Sequence, residues 1–242
     1  MVPRGSGEQA TFLGRSRADF GCWLTDAREH PMTRLADATS PEAAGAGLVL
    51  VPVGSIEQHG PHLPLDTDTT IAIAVAEVVA QELPGTWVAP AVSYGSSGEH
   101  QSFPGTSSIG TDALTHLAVE LVRSLRTWAD RVVFVNAHGG NLAALKASPE
   151  LEWVPCMTEE VDLHAGFTET SLMLHLRPDS VRLDLAEAGN TQPLREILPA
   201  MMAGGIAAVS PNGVLGDPAG ASAAEGERVL KAMVADILGR LE

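Results

Sequence analysis

Six residues with carboxylate or imidazole side chains stand out in this sequence because their types suit metal-dependent catalysis. In chain order they are Glu57, His59, Asp68, His138, His164 and Glu169. Neutral imidazole and carboxylate groups bind zinc, manganese and ferrous iron, and they indicate little about which. All of them except His164 are candidate metal ligands, more than one catalytic zinc ion with an open position needs. The sequence therefore predicts two divalent ions per subunit (Fe²⁺, Zn²⁺ or Mn²⁺) that share a carboxylate, with a bridging hydroxide as the nucleophile.

The spacing of these residues supports a metal site, but each also has an ordinary structural explanation. Glu57 and His59 are two residues apart, so in an extended segment both side chains point to the same side. Asp68 precedes a predicted helix, where it can face a neighbouring ion or serve only as a helix cap. His138 lies between Asn136 and a Gly-Gly pair, where the backbone can approach a ligand closely or simply form a tight turn.

Alternating strand and helix patterns predict the scaffold that brings these residues together. Buried strands are predicted at 48–53, 87–92, 131–135, 153–157 and 205–209. Helices are predicted at 71–82, 111–125, 142–147, 171–176 and 222–241. The alternation predicts a three-layer α/β/α fold with a mostly parallel sheet, although 142–147 is short for a parallel crossover. Ligands bind beyond the carboxyl ends of such strands, and the candidate residues follow the first, third and fourth of them.

The domain organisation is predicted to be simple. Residues 34–242 are expected to form one domain, because no internal repeat or low-complexity linker divides them. Residues 1–6 (MVPRGS) resemble the remainder of an engineered protease site and are excluded from fold reasoning. Residues 7–33 are weakly periodic and are predicted to form an N-terminal arm.

The composition excludes several other classes of protein. The chain has 15 Lys and Arg residues against 30 Asp and Glu, and its net charge of −15 argues against a nucleic-acid binder. Its apolar runs are far shorter than the roughly 20 residues that a membrane span needs, and no signal-peptide pattern opens the chain. With only Cys22 and Cys156, a reducing cytoplasm is the expected compartment. The sequence also contains no Walker A motif, dinucleotide fingerprint or nucleophile elbow.

Four sequence blocks around the candidate residues resemble the creatininase family of metal-dependent amidohydrolases. They are GSIEQHGPHLPLDTD at 54–68, GEHQSFPGT at 98–106, VNAHGGN at 135–141 and DLHAGFTETS at 162–171. The resemblance spans roughly residue 35 to the carboxyl terminus. It implies a creatininase-like α/β fold, a homo-oligomer such as a hexamer or larger ring, and a centre with two metal ions.

The resemblance also implies a role for each candidate residue. Glu57 and His138 hold one ion, and His59 binds the other. Asp68 bridges the two ions, and His164 lies on the substrate side as a proton donor or acceptor. The implied reaction is amide hydrolysis, in which water activated by metal attacks a polarised carbonyl. Either Glu169 or His164 moves the proton to the leaving amine, and the sequence does not choose between them.

One position departs from the family pattern. Creatininase itself has an acidic ligand two residues beyond the histidine equivalent to His138, whereas this chain has Gly140. Because glycine has no side chain to coordinate a metal, Glu169 is predicted to contact the second ion or its bound water instead. The missing ligand also argues against creatinine as the natural substrate.

The His-Gly-Gly-Asn form, together with PNGVLGDP at 211–218, is most similar to a peptidase branch of the family. Members of that branch hydrolyse the modified, ribosomally made precursor peptide of a redox cofactor and release the unit formed from its C-terminal Val-Tyr pair. Tyr94, Phe103 and Phe167 are candidates to line a pocket for this apolar unit, or are ordinary packing residues. Two alternatives remain open: a hydrolase of small cyclic amides or formamides, and a non-catalytic α/β module that binds a metal or an anion.

Overall fold

The computed structural model describes residues 34–157 and 162–242. The strands are β1 (Ala46–Val53), β2 (Thr86–Val88), β3 (Ala129–Asn136) and β4 (Trp153–Pro155). The α-helices are α1 (Thr67–Glu82), α2 (Thr111–Leu125), α3 (Leu142–Leu145), α4 (Phe167–Leu176), α5 (Leu194–Gly204) and α6 (Ala223–Leu241). Short 3₁₀ turns lie at Leu35–Asp37, Gly98–His100, Gly139–Asn141, Pro178–Ser180, Leu183–Leu185 and Ile206–Ala208. The predicted arm at 7–33 and the segment 1–6 lie outside the described residues.

The four strands form one parallel sheet in the order β2-β1-β3-β4. The central strands β1 and β3 pair along most of their length, and Val53 pairs with Asn136 at their carboxyl ends. The backbone N–H of Ala137 continues this pairing by donating to the Val53 carbonyl at 3.0 Å. The segments that follow β1 and β3 therefore leave the sheet side by side, which places two of the three predicted site regions next to each other.

Both faces of the sheet are covered, which confirms the predicted three-layer α/β fold. Successive side chains of β1 point to opposite faces, as the strand geometry requires. Leu48 and Leu50 lie in an apolar cluster with residues of α1, α4 and α6. Val49 and Val51 lie in a second cluster, with residues of α2 and α3. A strand buried on both faces needs a continuous apolar run, and this is the pattern that predicted β1 from the sequence.

The connection between β3 and β4 is as short as the sequence indicated. It contains the Gly139–Asn141 turn and the four-residue helix α3. Leu145 and Leu151 are buried in the same cluster as Phe134 of β3, so this connection still covers one face of the sheet. The terminal helix α6 is capped at its start, as predicted. The Ser222 side chain accepts a hydrogen bond from the backbone N–H of Glu225.

The predicted strand at 205–209 is wrong. Gly205 has a φ of 70° and is followed by a 3₁₀ turn, so the chain does not continue as an extended segment here. Ile206 instead packs with Ile197 and Leu215 in a small separate cluster. Helix α5, which precedes this turn and contains Pro199, was not predicted. Proline inside a helix removes a backbone hydrogen bond, so the sequence pattern there does not favour a helix.

Within the described ranges, no helix combines the length and the apolar character that crossing a membrane requires.

Candidate metal centre

The structure brings all six predicted site residues together at the carboxyl edge of the sheet. Glu57 and His59 follow β1, Asp68 lies in the first turn of α1, and His138 follows β3. His164 lies just before α4, and Glu169 lies in its first turn. All of them except Glu169 are buried, and the Glu169 side chain is 18% exposed. Their roles as ligands or proton carriers stay predictions.

Asp68 lies at the centre of this cluster and is not a helix cap. Helix α1 begins at Thr67, earlier than predicted, so that Asp66 takes the N-cap position. One Asp68 carboxylate oxygen, Oδ1, lies 3.1 Å from His59 Nε2. The other, Oδ2, accepts a hydrogen bond of 2.7 Å from the Ser55 hydroxyl and lies 3.2 Å from His138 Nδ1. A carboxylate with one oxygen toward each imidazole has the arrangement that a bridging ligand needs.

Glu57 has an unsatisfied carboxylate. Its side chain is fully buried, and among the described residues neither oxygen receives a hydrogen bond of good geometry. The atoms that surround it are imidazole nitrogens: His138 Nε2 at 3.1 Å, His100 Nε2 at 3.2 Å and His164 Nδ1 at 3.8 Å. Burying an uncompensated carboxylate costs several kcal/mol. A cation among these nitrogens and oxygens would remove that cost.

The shifted pKa values show how strongly the cluster attracts positive charge. Burial lowers the pKa of His59, but Asp68 and then Glu169 and Glu57 outweigh this effect and raise it to about 10. Burial likewise lowers the pKa of His138, and Glu57 and Asp68 raise it to about 9. Burial raises the pKa of Glu57 to about 7. A bound divalent ion would supply the same positive charge and displace the protons, so the donor set fits a metal.

Glu169 faces the other side of Asp68. Its Oε2 atom lies 3.9 Å from His59 Nε2 and accepts a hydrogen bond from the backbone N–H of Ala165. Ala165 has a φ of 52°, a left-handed conformation that costs an alanine about 1 kcal/mol. Ala165 directly follows His164, and its backbone N–H helps to hold the Glu169 carboxylate in place. Burial raises the pKa of Glu169 to about 7.

Three groups of side chains have ligand atoms that all lie within 4.8 Å of one another. They are Glu57 with Asp68 and His138, His59 with His164 and Glu169, and Glu57 with His100 and His164. The first two groups share no residue, but Asp68 also contacts His59 of the second. The three groups overlap through Glu57 and His164, and Asp68 lies between the first two. The geometry therefore offers adjacent places for divalent ions.

The sequence analysis missed His100. This residue is buried in the Gly98–His100 turn, and its ring centroid lies 4.5 Å from that of His164. Gln58 connects the two rings: its side-chain amide donates to His100 Nδ1 at 2.9 Å, and its backbone carbonyl accepts from His164 Nε2 at 2.8 Å. Burial, followed by the charges of His138 and His59, lowers the pKa of His100 to about 3. The sequence feature pointing to this residue was the polar loop at 95–110.

Two asparagines connect the segments that follow β1 and β3 with the loop that contains His100. The Asn141 side-chain amide donates to the Gly54 carbonyl after β1 and to Asn136 Oδ1 at the end of β3. Its Oδ1 atom accepts the backbone N–H of Ser96, at the start of the loop that contains His100. The Asn141 side chain therefore fixes the positions of the loops, and its backbone N–H donates to the His138 carbonyl at 3.3 Å.

A parallel α/β sheet with buried imidazoles and carboxylates at its carboxyl edge is an arrangement typical of metal-dependent hydrolases. The sequence model of creatininase, described as creatinine amidohydrolase, matches residues 36–241. The chain therefore belongs to the creatininase family, and the activity of the family is the hydrolysis of C–N bonds.

Individual relatives agree with this assignment. The chain is 54% identical over 208 residues to the mycofactocin precursor peptide peptidase of Mycolicibacterium smegmatis, which covers 81% of this chain and 84% of the relative. It is also 54% identical over 210 residues to the protein of that name in Mycobacterium tuberculosis, with 80% and 84% covered. A manganese form of creatininase aligns with a TM-score of 0.73 at 26% identity, covering 87% of this chain and 98% of that structure.

Proposed function

We propose that this protein is a metal-dependent peptidase that cleaves a mycofactocin precursor peptide and releases its modified C-terminal unit, formed from the Val-Tyr pair. Two relatives that carry this name are 54% identical over most of the chain, and this similarity supports the substrate. The observation that carries the chemistry is the buried Glu57 carboxylate, which faces imidazole nitrogens and accepts no hydrogen bond from the described residues.

The five predicted ligands divide into two sets around Asp68. Glu57 and His138 would hold one ion, and His59 and Glu169 would hold the other. Divalent ions bound there would lower the pKa of an attacking water and polarise the scissile carbonyl. Zinc, manganese and ferrous iron all suit a mixture of imidazole and carboxylate ligands. Two ions per subunit is the number that this division supports.

His164 and Glu169 remain the two candidates for moving a proton to the leaving amine. Burial, followed by the neighbouring His59 and His100, lowers the pKa of His164 well below its usual value, so the ring is neutral. Its Nε2 atom donates to the Gln58 carbonyl, which leaves Nδ1 free to accept a proton. Glu169, with a pKa raised to about 7, is suited both to take up and to give up a proton near neutral pH.

Glu169→Gln separates the ligand role from the proton-transfer role. The amide keeps the shape of the side chain and an oxygen for the Ala165 N–H, but it removes the negative charge that faces His59. If Glu169 is a ligand, the variant is expected to bind one ion at least about tenfold more weakly and to turn over more slowly. Elemental analysis after dialysis and steady-state kinetics measure the two effects.

A matched control for this variant is Glu225→Gln. Glu225 also lies in the first turn of a helix, α6, and is also partly buried, but it lies outside the metal centre and pairs with Arg228. This control should keep wild-type metal content and rate. A slow Glu169→Gln variant with full metal content would assign Glu169 to proton transfer alone. Wild-type metal content and rate in this variant would make Glu169 a structural residue.

The three aromatic candidates for the substrate pocket have different environments. Phe103 packs against the cluster of Ile197, Ile206 and Leu215, so it contributes to the core. Tyr94 is 56% exposed and lies in the loop between β2 and α2. Phe167 is half-buried at the start of α4, two residues before Glu169. We therefore retain Tyr94 and Phe167 as the residues that would contact the apolar unit of the peptide.

A parallel assay of four compounds tests the substrate. The modified precursor, the unmodified precursor, creatinine and a simple formamide are each offered to the metal-loaded enzyme, and products are identified by mass spectrometry. We expect the modified precursor to be cleaved fastest, just before its cross-linked pair, because binding of the apolar unit helps to align the scissile amide. Faster hydrolysis of creatinine or the formamide would overturn the peptidase proposal and leave the metal-dependent amidohydrolase intact.

The homo-oligomer also stays part of this proposal. Helix α5 exposes Leu194, Leu198 and Met202, which are four residues apart and form one apolar stripe. Such a stripe is typical of a surface that another protein subunit covers. A hexamer or larger ring and a cytoplasmic location stay predictions.

A further inference from the structure

We propose that Glu99 is an additional carboxylate of the metal centre, on the side of His138 that lies beside Gly140. This inference rests on the metal-dependent function proposed above. It concerns a residue outside the five predicted ligands, in the turn Gly98–His100.

The position of Glu99 is the first argument. Its Oε1 atom lies 3.7 Å from His138 Nε2, the ring nitrogen that is also 3.1 Å from Glu57 Oε2. The Glu99 side chain is 31% exposed, whereas Glu57 and Asp68 are buried. Glu99 therefore approaches the same ring nitrogen of His138 as Glu57 does, from a more exposed position.

Gly140 is the second argument, because the Glu99 carboxylate occupies the space that a side chain at position 140 would fill. A Cβ atom added to Gly140 would lie 2.4 Å from Glu99 Oε1 and 2.5 Å from His138 Nε2. It would also lie 2.2 Å from the Ser96 carbonyl oxygen, which is backbone and cannot easily move. Glycine at 140 thus allows a carboxylate from another loop to stand next to His138.

The turn that carries Glu99 is held close to the cluster by a second glycine. Gly205 has a φ of 70°, and a Cβ atom added there would lie 2.6 Å from the Glu99 carbonyl oxygen. The backbone of the turn therefore rests directly on the backbone of Gly205, after helix α5. Since His100 of the same turn is buried beside Glu57, the turn is fixed on both sides and presents Glu99 in a defined position.

Glu99 therefore supplies an acidic side chain near the place where this chain has Gly140 and no acidic ligand. The sequence analysis assigned Glu169 to replace the missing acidic ligand, but Glu169 faces His59, at 3.9 Å, on the other side of Asp68. Glu99 is the carboxylate that stands beside Gly140 and His138. We infer that Glu99 adds negative charge for the ion held by Glu57 and His138, while Glu169 serves the neighbouring ion.

Metal binding by Glu99→Gln tests this inference without an activity assay. The variant keeps the shape of the side chain and removes its charge. Equilibrium dialysis with Mn²⁺ or Zn²⁺ is expected to show about 10- to 100-fold weaker binding of one ion, with the other unaffected. In Co²⁺-loaded protein, the visible absorption bands should change for that ion. Circular dichroism confirms that the variant is folded.

Glu150→Gln is the control, because Glu150 is an exposed glutamate between α3 and β4. It should bind both ions with wild-type affinity. The inference is overturned if Glu99→Gln also binds both ions with wild-type affinity and gives an unchanged Co²⁺ spectrum. Wild-type protein that binds metal but cleaves no precursor peptide would contradict the proposed peptidase function and leave this inference standing.

Gly140→Ala provides an independent test. The added methyl group is expected to displace the Glu99 carboxylate and weaken the same ion. The contacts of the added methyl group with the Ser96 carbonyl and the His138 ring do not depend on the Glu99 charge. In the double variant with Glu99→Gln, we therefore expect a further loss that is smaller than the loss in the wild-type background, because changes that act on one interaction are not additive. Fully additive losses in the double variant would contradict the link between the two positions. If Gly140→Ala does not fold, the Glu99→Gln result decides by itself.

Discussion

Replacing Asp68 by asparagine is expected to reduce turnover of the modified precursor by at least about 1000-fold. The Asp68 carboxylate has one oxygen toward His59 and the other toward His138, so it is the residue that both proposed ions would share. Asparagine keeps the shape but loses the charge and directs an NH₂ group at one ion. Losing about 4 kcal/mol of transition-state stabilisation corresponds to this factor. Steady-state kinetics and elemental analysis of the same sample measure rate and metal content together.

Asp66→Asn is the matched control for this change. Asp66 is two residues earlier, its side chain is 41% exposed, and its carboxylate pairs with Arg177 at 2.7 Å. An exposed ion pair contributes only about 0–1 kcal/mol to stability, so this variant should keep its fold, its metal and its rate. Near-wild-type turnover of Asp68→Asn with metal bound would contradict the bridging role of Asp68.

Removal of metal by a chelator is expected to abolish hydrolysis, and Mn²⁺, Zn²⁺ or Fe²⁺ should restore it. Without an ion, the buried Glu57 carboxylate accepts no hydrogen bond of good geometry from the described residues, and the cluster gains positive charge only through protonated histidines. Ca²⁺ should not restore activity, because it prefers six to eight oxygen ligands and this site is rich in imidazole. Full activity in protein shown by elemental analysis to be metal-free would end the metallohydrolase proposal.

Adding metal back to the metal-free protein should also raise its stability to unfolding. An ion that binds the folded state alone, at about 100 times its dissociation constant, adds about 2.7 kcal/mol to the free energy of unfolding. For a domain of this size, the melting temperature should rise by about 5–10 °C. Asp68→Asn should lose most of this metal-induced rise, whereas Asp66→Asn should keep it.

The elements of the fold that are set by local patterns were predictable from the sequence. Strands β1 and β3 are continuous apolar runs, and helices α1, α2 and α6 have apolar residues at helical spacing. The errors occurred where contacts distant in sequence decide the conformation. Residues 205–209 resemble a strand, but Gly205 turns the chain and Ile206 completes a small cluster with Ile197. Helix α5 forms although Pro199 lies inside it.

The sequence by itself determined the chemistry available at the site: imidazoles and carboxylates that follow neighbouring parallel strands, and hence meet at one edge of the sheet. It left open whether Asp68 is a cap or a central carboxylate. Packing decided this, because α1 begins at Thr67 and turns Asp68 toward Ser55 and His138. His100 and Glu99 also depend on tertiary structure. Their turn reaches the cluster through the close backbone approach at Gly205, and a contact between segments about 100 residues apart leaves no periodic pattern in the sequence.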